Sequence, residues 1–302
     1  MSSIKTDNFS QSNEGWADLH VHTNASDGLY TSEQVVALAV DKKLRAVSIT
    51  DHDAIRGINP ALEEAEKYDL EIIPGIELST TESQNDIHIL GYFIDISNKQ
   101  ILHYIHLFQE ERIRRAEKIV NKLKSMGLRL NLDLIMQKSG PGSLGRPHIA
   151  DALMEEGYVL SYDEAFYKYL GNGKPAYVPK YKISPAEGIN LIHEAGGLSF
   201  IAHPGMDVAT DSLVNYMKVG LDGIEILHPK HSQEKANELY QFAIRHSLLV
   251  SGGSDCHGNR KGNELLGLFN VPYQFIVDIK EKIEKMKKFP TVTSNKSGHQ
   301  DE

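Results

Sequence analysis

Residues 16–52, WADLHVHTNASDGLYTSEQVVALAVDKKLRAVSITDH, decide the fold. Two short apolar runs, 16–22 and 45–52, flank a segment with helical character. That segment opens with Thr31 and Gln34, which form the capping-box pattern of a helix start. A strand, a helix and a second strand in this order predict a parallel βα unit.

The same alternation continues along the chain. PALEEAEKY, with Pro60 suited to a first helical turn, precedes two apolar runs that predict neighbouring strands. After residue 183 three further strands alternate with helices, the first of which ends at Gly196 and Gly197. The predicted fold class is therefore α/β, a distorted seven-stranded (βα)7 barrel. The predicted strands cover residues 16–22, 45–52, 70–78, 87–94, 198–205, 221–229 and 248–257.

One segment, 98–182, interrupts the alternation with a long helical stretch and no strand pattern. We interpret it as a helical insertion that caps the substrate pocket. The barrel is then predicted in two parts, 15–97 and 183–275. Residues 1–14 are expected to form a disordered leader, and residues 276–302 a C-terminal helix with a polar tail.

Composition limits the function. The 302-residue chain has 32 Lys and Arg against 41 Asp and Glu, a net charge of −9 with neutral histidines. Stable binding of double-stranded nucleic acid or a membrane surface is therefore not expected. The one cysteine excludes an intramolecular disulfide framework and thiolate-rich metal sites. Since the polar start lacks a signal pattern and no apolar stretch approaches ~20 residues, a cytoplasmic protein is expected.

Potential metal ligands lie at or near the end of almost every predicted strand. Because the active sites of parallel βα barrels lie at the C-terminal strand ends, these side chains are expected to converge. Residues two apart on a strand point to the same side, so such a pair can bind one ion. The candidates are His20, His22, Asp27, His52, Asp53, Glu77, His88, His203, His228, Asp255 and His257.

Imidazole and carboxylate ligands without thiolate suit Mn²⁺, Fe²⁺ or Zn²⁺. Nine of these nitrogen and oxygen ligands already exceed what one ion can use, which predicts two or three divalent ions in one pocket. Glu77, with two carboxylate oxygens, is the expected bridge between ions. Elsewhere, single histidines are expected to be solvated or to lie on helix faces, and Cys256 to pack as a small apolar residue. These histidines are His103, His106, His193, His231, His246 and His299.

Six motifs in order, DLHVHTNASDG, ITDHD, PGIEL, HILGY, IAHPG and GSDCHG, span residues 16–258. They resemble the motifs of the PHP (polymerase and histidinol phosphatase) metallophosphoesterases. The resemblance implies a distorted seven-stranded barrel with a metal cluster at its C-terminal face, and favours Mn²⁺ over Fe²⁺ or Zn²⁺. It implies as ligands His20, His22, Asp27, His52, Glu77, His88, His203, Asp255 and His257.

Within the family, the predicted insertion is similar to that of the TrpH-like type, which includes nucleoside 3′,5′-bisphosphate phosphatases and 5′–3′ exonucleases. Arg112 and Arg115 are three residues apart, so they share one helix face and could clamp a phosphate. Arg146 and His148 lie in a turn bounded by Gly and Pro. All four residues are expected to bind a phosphate that does not react.

The expected function is metal-dependent hydrolysis of a terminal phosphate ester of a nucleotide or short oligonucleotide, with a metal-activated water as nucleophile. His228 and Asp53 are candidates for the general acid, and the sequence does not select between them. Alternatives are a phosphomonoesterase like the histidinol phosphatases, a non-catalytic metal-binding module, and an amidohydrolase-like enzyme. A carboxylated lysine usually bridges the metals of amidohydrolases, and Glu77 at the bridging position argues against that class.

Overall fold

The computed structural model describes residues 15–83, 85–139, 144–181, 183–205, 208–258 and 264–288. The predicted leader 1–14 and the predicted tail beyond residue 288, with His299, lie outside these ranges. The strands are β1 (Trp16–Val21), β2 (Ala46–Ile49), β3 (Glu71–Glu82), β4 (Asn85–Tyr92), β5 (Leu198–Ile201), β6 (Gly223–Leu227), β7 (Leu249–Gly252) and β8 (Val271–Pro272).

These strands form one nearly closed barrel in the order β7-β6-β5-β4-β3-β2-β1-β8. Pairing is parallel from β1 to β3 and from β5 to β7. A parallel bridge between Val21 and Cys256 closes the gap between the first and seventh strands. The predicted α/β barrel is confirmed.

Two details of the predicted barrel are wrong. The described sheet has eight strands, because β8 pairs antiparallel with β1; with only two residues, it is too short to produce a periodic pattern. In addition, β4 runs antiparallel to both neighbours. A short hairpin joins β3 to β4, and a connection of this length can link only antiparallel strands.

Several predicted strands also extend too far toward the C-terminal end. β2, β5 and β7 end at Ile49, Ile201 and Gly252, a few residues before the predicted ends. Several of the residues that follow these strands have left-handed backbone conformations, which end regular strand pairing. Asp53, His203 and Asp255 all have positive φ angles, of 49°, 29° and 50°.

The helices surround the barrel or lie between β4 and β5. The capping boxes at Thr31 and Ser184 are both formed. The helices are α1 (Ser32–Asp41), α2 (Ile58–Ala65), α3 (Lys99–Ser125), α4 (Leu132–Ser139), α5 (Arg146–Glu155), α6 (Tyr162–Ala165), α7 (Pro185–Glu194), α8 (Thr210–Lys218), α9 (Gln233–Arg245) and α10 (Gln274–Lys288), with a π-helical turn at Phe166–Leu170.

The residues between β4 and α7, here called the helical segment, have a hydrophobic cluster of their own. It includes Ile119, Leu123, Ile149 and Leu153, all nearly inaccessible to solvent. The N-terminal half of α3 instead packs Ile101 and Phe108 into the main barrel core. Helix α3 therefore connects the two clusters. Within the described ranges, no helix is both long and apolar enough to cross a membrane.

Candidate metal centre

One cluster of side chains forms where β1 and β7 end, beside the middle of β3. His20 lies in β1 and His22 directly follows the last residue of that strand, so the two side chains point the same way. Their Nε2 atoms lie 3.1 Å apart, and each is 3.2 Å from Oε2 of Glu77. Asp255 Oδ1 completes the cluster at 3.5 Å from His20 Nε2 and 3.2 Å from His22 Nε2.

Glu77 joins this cluster to a second one. Its Oε2 is 3.1 Å from Nδ1 of His52, and its Oε1 is 2.8 Å from Nδ1 of His88. The Nε2 atom of His203 lies 3.1 Å from the same Oε1. Glu77 is fully buried, so both of its oxygens face imidazole nitrogens rather than water.

A third cluster lies on the other side of His22. Asp27 Oδ1 is 3.3 Å from Nε2 of His257 and 3.8 Å from Nδ1 of His22. His52 also places a ring nitrogen within 4.8 Å of these atoms. All nine residues implied by the family resemblance therefore lie in one connected group.

The spacing of these atoms fits divalent ions. A ligand atom lies about 2.0–2.2 Å from a bound transition metal, so two ligands of one ion are about 3.0–3.5 Å apart. Several atoms of the group are buried without a hydrogen bond, which is unusual for polar groups unless a cation takes that place. In the described part of the chain they include His22 Nδ1, Asp27 Oδ1, His52 Nδ1, Glu77 Oε2 and both ring nitrogens of His88.

The charges of the group also favour a cation. Burial alone would raise the pKa of Glu77, but the imidazoles of His52, His88 and His20 hold it well below its ordinary value. Burial alone would lower the pKa of His22, whereas its carboxylate neighbours raise it to about 10. The carboxylates therefore stay ionised, and an ion that binds at His22 replaces a proton.

Two buried carboxylates without a predicted role, Asp51 and Asp18, accept hydrogen bonds from the backbone next to the clustered residues. Asp51 accepts hydrogen bonds from the backbone N–H of Thr23 and from the hydroxyls of Thr23 and Ser26, at 2.5–2.7 Å. These bonds fix the loop that presents Asp27. Asp18 accepts from the backbone N–H of Ser254 at 2.8 Å, which ties β1 to the residues after β7.

A third buried carboxylate, Glu225 of β6, contacts His20 and His203. Sequence reasoning missed it. The available signal was a charged residue inside the apolar run GIEIL (223–227), since a buried carboxylate is rare unless it has a partner.

The two general-acid candidates are placed differently. Asp53 receives hydrogen bonds from Arg112 at 2.5 Å, from Tyr104 at 3.1 Å and from the backbone N–H of Ser79 at 2.8 Å. Burial alone would raise the pKa of Asp53, but Arg112 and the Ser79 N–H hold it below its usual range. Asp53 is therefore an anion, and both of its oxygens already accept hydrogen bonds from protein groups.

His228 is buried beside the first cluster, with Nε2 3.3 Å from Asp255 Oδ2. Its Nδ1 accepts a hydrogen bond of 3.1 Å from the backbone N–H of Lys230. The proton of the neutral ring is therefore on Nε2, the atom that faces the cluster.

Three of the four predicted substrate-binding residues line or adjoin a cationic cavity, which is bounded by Thr81 of β3 and Asp86 of β4, the strands that also carry Glu77 and His88. Arg115 and Arg146 line it together with Lys180, in a volume of about 320 Å³. Arg115 donates to the carbonyl of Val178 through Nε, and its buried Nη2 has no hydrogen bond. Arg112 lies beside Arg115 but is paired with Asp53.

His148 lies at the start of α5. Its Nδ1 accepts a hydrogen bond of 3.2 Å from the backbone N–H of Gly145, so it takes part in the helix cap. Lys180 was not predicted, because a single lysine in a polar stretch resembles any solvated charge. Its Nζ lies 3.1 Å from Asp86 Oδ2, and Asp86 also lines the cavity.

The remaining histidines have local roles, as predicted, with one correction. His103, His106 and His246 are exposed, and His193 pairs with Asp222 at 2.7 Å. The expectation that His231 is solvated or lies on a helix face is wrong. His231 is buried, and both of its ring nitrogens are hydrogen-bonded, one to the carbonyl of Ile226 and the other to the N–H of Gly205.

An α/β barrel with a buried group of imidazoles and carboxylates of this kind is typical of metal-dependent hydrolases. The chain belongs to the PHP domain family, whose model matches residues 18–166. It is 34% identical over 247 residues to the 5′–3′ exoribonuclease Rnm of Escherichia coli. The matched region covers 80% of this chain and 84% of that protein. It is 30% identical over 256 residues to the 3′,5′-nucleoside bisphosphate phosphatase of Chromobacterium violaceum, covering 83% and 90%.

Two solved structures share the fold of this chain. A Bifidobacterium adolescentis protein assigned as a metal-dependent phosphoesterase has a TM-score of 0.81 and 31% identity, covering 87% of this chain and 94% of that one. A Chromobacterium violaceum protein described as an amidohydrolase, solved with sulfate and no metal, has a TM-score of 0.75 and 28% identity, covering 89% and 96%. The chain is accordingly a metal-dependent phosphoesterase.

Proposed function

We propose that the protein hydrolyses a phosphate ester at the end of a nucleotide that carries a second phosphate. Nucleoside 3′,5′-bisphosphates and the 5′ ends of short oligonucleotides are the substrates with this chemistry. The observation that carries the proposal is the cationic cavity beside the candidate metal centre. Asp86, on the cavity wall, and His88, in the centre, are two residues apart on β4 and lie on the same side of the strand.

The nine clustered residues hold two or three divalent ions in this proposal, with Mn²⁺ favoured over Fe²⁺ or Zn²⁺. The donor set of imidazole and carboxylate suits all three metals. Divalent ions, when bound, polarise the phosphate oxygens and acidify a water. Glu77 is proposed as the shared ligand because its two oxygens face different imidazoles. The nine residues are His20, His22, Asp27, His52, Glu77, His88, His203, Asp255 and His257.

His228 is proposed to contact the reacting group. Its Nε2–H faces the centre, and the Lys230 N–H on Nδ1 keeps the ring neutral. A neutral imidazole in this tautomer donates a hydrogen bond to a phosphate or leaving-group oxygen without transferring its proton. The geometry supports this role better than general-acid catalysis by either His228 or Asp53.

The cavity is proposed to hold the phosphate that does not react. Arg115, Arg146 and Lys180 contribute three positive charges against one negative charge from Asp86. The guanidinium of Arg146 lies 5.4 and 5.7 Å from the ring centroids of Phe166 and Tyr177, and its Nη1 donates a 3.1 Å hydrogen bond to the carbonyl of Leu170. An arginine held in this way can bind a phosphate through charge-assisted hydrogen bonds from its other N–H groups.

Steady-state kinetics on two substrates test this proposal. A charge-assisted contact contributes about 1.5–3 kcal/mol, so Arg146→Ala is expected to lower kcat/KM for a 3′,5′-bisphosphate roughly ten- to a hundredfold. An aryl monophosphate, which has no second anion, should be hydrolysed at an unchanged rate. Lys180→Ala should show the same selectivity, and a 5′-phosphorylated short RNA should behave like the bisphosphate.

Arg114→Ala is the matched control, because Arg114 is exposed on α3 and pairs with Glu110 and Glu111. It should leave both rates unchanged. Equal loss on both substrates in Arg146→Ala would mean that Arg146 supports the reacting phosphate or the fold, and would contradict the two-phosphate proposal.

A further inference from the structure

Glu225 is a buried carboxylate in the middle of β6 that contacts two predicted metal ligands at once. Its Oε1 lies 2.8 Å from Nδ1 of His20. Its Oε2 accepts a hydrogen bond of 2.6 Å from the backbone N–H of His203. The side chain is inaccessible to solvent. Since an unpaired charge would be very costly there, the two contacts account for both oxygens of a buried anion.

The contact with His20 decides which imidazole nitrogen faces the candidate metal centre. An ionised carboxylate only accepts hydrogen bonds, so Nδ1 of His20 carries a proton, and in the neutral ring that a metal requires Nε2 has the lone pair. Nε2 is the nitrogen that lies 3.2 Å from Glu77 and 3.5 Å from Asp255. A carboxylate on the far nitrogen of a ligating histidine sets the tautomer and the ring orientation.

The contact with His203 restrains its backbone. His203 has a φ angle of 29°, a conformation that residues other than glycine rarely adopt. Such a conformation persists only where its surroundings hold it, and the N–H of His203 is held by Glu225. The side chain of His203 then reaches Glu77, with Nε2 3.1 Å from Oε1.

We propose that Glu225 is a positioning residue of the metal centre, which orients the ring of His20 and fixes the backbone of His203. This inference rests on the proposed role of those two histidines as metal ligands. One carboxylate from β6 thereby sets the geometry of ligands from β1 and β5. Direct ligation by Glu225 is the competing arrangement, since Glu225, His20 and His228 place donor atoms within 4.8 Å of one another.

Asp222, at the N-terminal end of β6, provides a matched control for a substitution of Glu225. Asp222, just before β6, lies 2.7 Å from Nε2 of His193 and accepts a 3.0 Å hydrogen bond from the backbone N–H of Ser199. It therefore makes the same two kinds of contact as Glu225, but with residues that are not predicted ligands. Asp222→Asn reports the cost of losing such a carboxylate without touching the metal centre.

The experiment measures Mn²⁺ affinity by competition with a chelating dye, on metal-stripped full-length protein. Glu225→Gln is expected to weaken Mn²⁺ binding roughly ten- to a hundredfold, with the number of ions at saturation unchanged. Asp222→Asn should lower the melting temperature and leave the affinity at the wild-type value. In the His20→Ala background, Glu225→Gln should weaken binding by a smaller factor, because one of its two partners is already gone.

Unchanged affinity in Glu225→Gln, or an equal loss in Asp222→Asn, would overturn the inference. Loss of one ion at saturation would make Glu225 a ligand and would also overturn it. If the wild-type protein bound no Mn²⁺, the proposed function itself would fail. If the wild type bound Mn²⁺ and Glu225→Gln bound it equally well, this inference alone would fail, so the two failures are distinguishable. Should Glu225→Gln not fold, Glu225→Asp serves the same test, since its shorter side chain cannot reach both partners.

Discussion

Arg112 of helix α3 donates a hydrogen bond of 2.5 Å to Oδ2 of Asp53, the residue that directly follows the predicted ligand His52. Both side chains are largely buried, with 14% and 1% of their surfaces exposed. Tyr104, about two turns earlier on α3, donates to the other oxygen of Asp53. The helical segment is thus anchored to the barrel beside the candidate metal centre.

This ion pair predicts a large loss of stability on mutation. Arg112→Met should lower the free energy of unfolding by about 3–5 kcal/mol, because it leaves a buried carboxylate without its counter-charge. Urea denaturation of the metal-free protein measures this. Arg114→Met, which removes an exposed pair on the same helix, should cost less than about 1 kcal/mol. Equal losses of unfolding free energy in the two variants would contradict a stabilising role for the buried Arg112–Asp53 pair.

The same pair predicts a pH dependence. The folded protein holds the pKa of Asp53 below the ordinary value of 3.8, so the pair stabilises the fold at pH values above that. The contribution is lost as the pH falls through the folded-state pKa. The difference in unfolding free energy between wild type and Arg112→Met should be largest at neutral pH and shrink below about pH 4. Urea denaturation at several pH values measures this difference. A difference in unfolding free energy that stays constant or grows on acidification would contradict the prediction.

Glu77 is predicted to matter more for metal content than any ligand at the edge of the group. Glu77→Gln should lower the number of Mn²⁺ ions retained after reconstitution more than His257→Ala does, because Glu77 faces imidazoles of two clusters. Elemental analysis measures this. Glu82→Gln, later on β3 and bonded to Tyr216, is the control and should retain the wild-type content. Near-normal metal content in Glu77→Gln would make the bridging role untenable.

Local pattern was enough to predict the barrel and the group of histidines and carboxylates. Strand ends recur along the chain with a ligand type at each, and a barrel brings strand ends together whatever their exact register. The antiparallel direction of β4 did not disturb this, because His88 lies within the strand and still faces the centre.

Contacts that depend on register or on docking could not be predicted in this way. Glu225 meets His203 only because β6 pairs with β5 in one particular register. Arg112 and Asp53 are 59 residues apart, and their pairing requires α3 to pack against the barrel. Sequence spacing therefore identified Arg112 as a phosphate clamp and Asp53 as an acid, whereas the structure pairs them with each other.

The central claim, a divalent-metal centre that hydrolyses a phosphate ester of a two-phosphate substrate, is tested most directly by one titration. Phosphate release from a 3′,5′-nucleoside bisphosphate is measured on chelator-stripped protein while Mn²⁺ is added back. We expect no phosphate release without metal, and a recovery of activity that saturates at two or three ions per chain. Release at the full rate by protein shown to contain less than one ion per chain would contradict it.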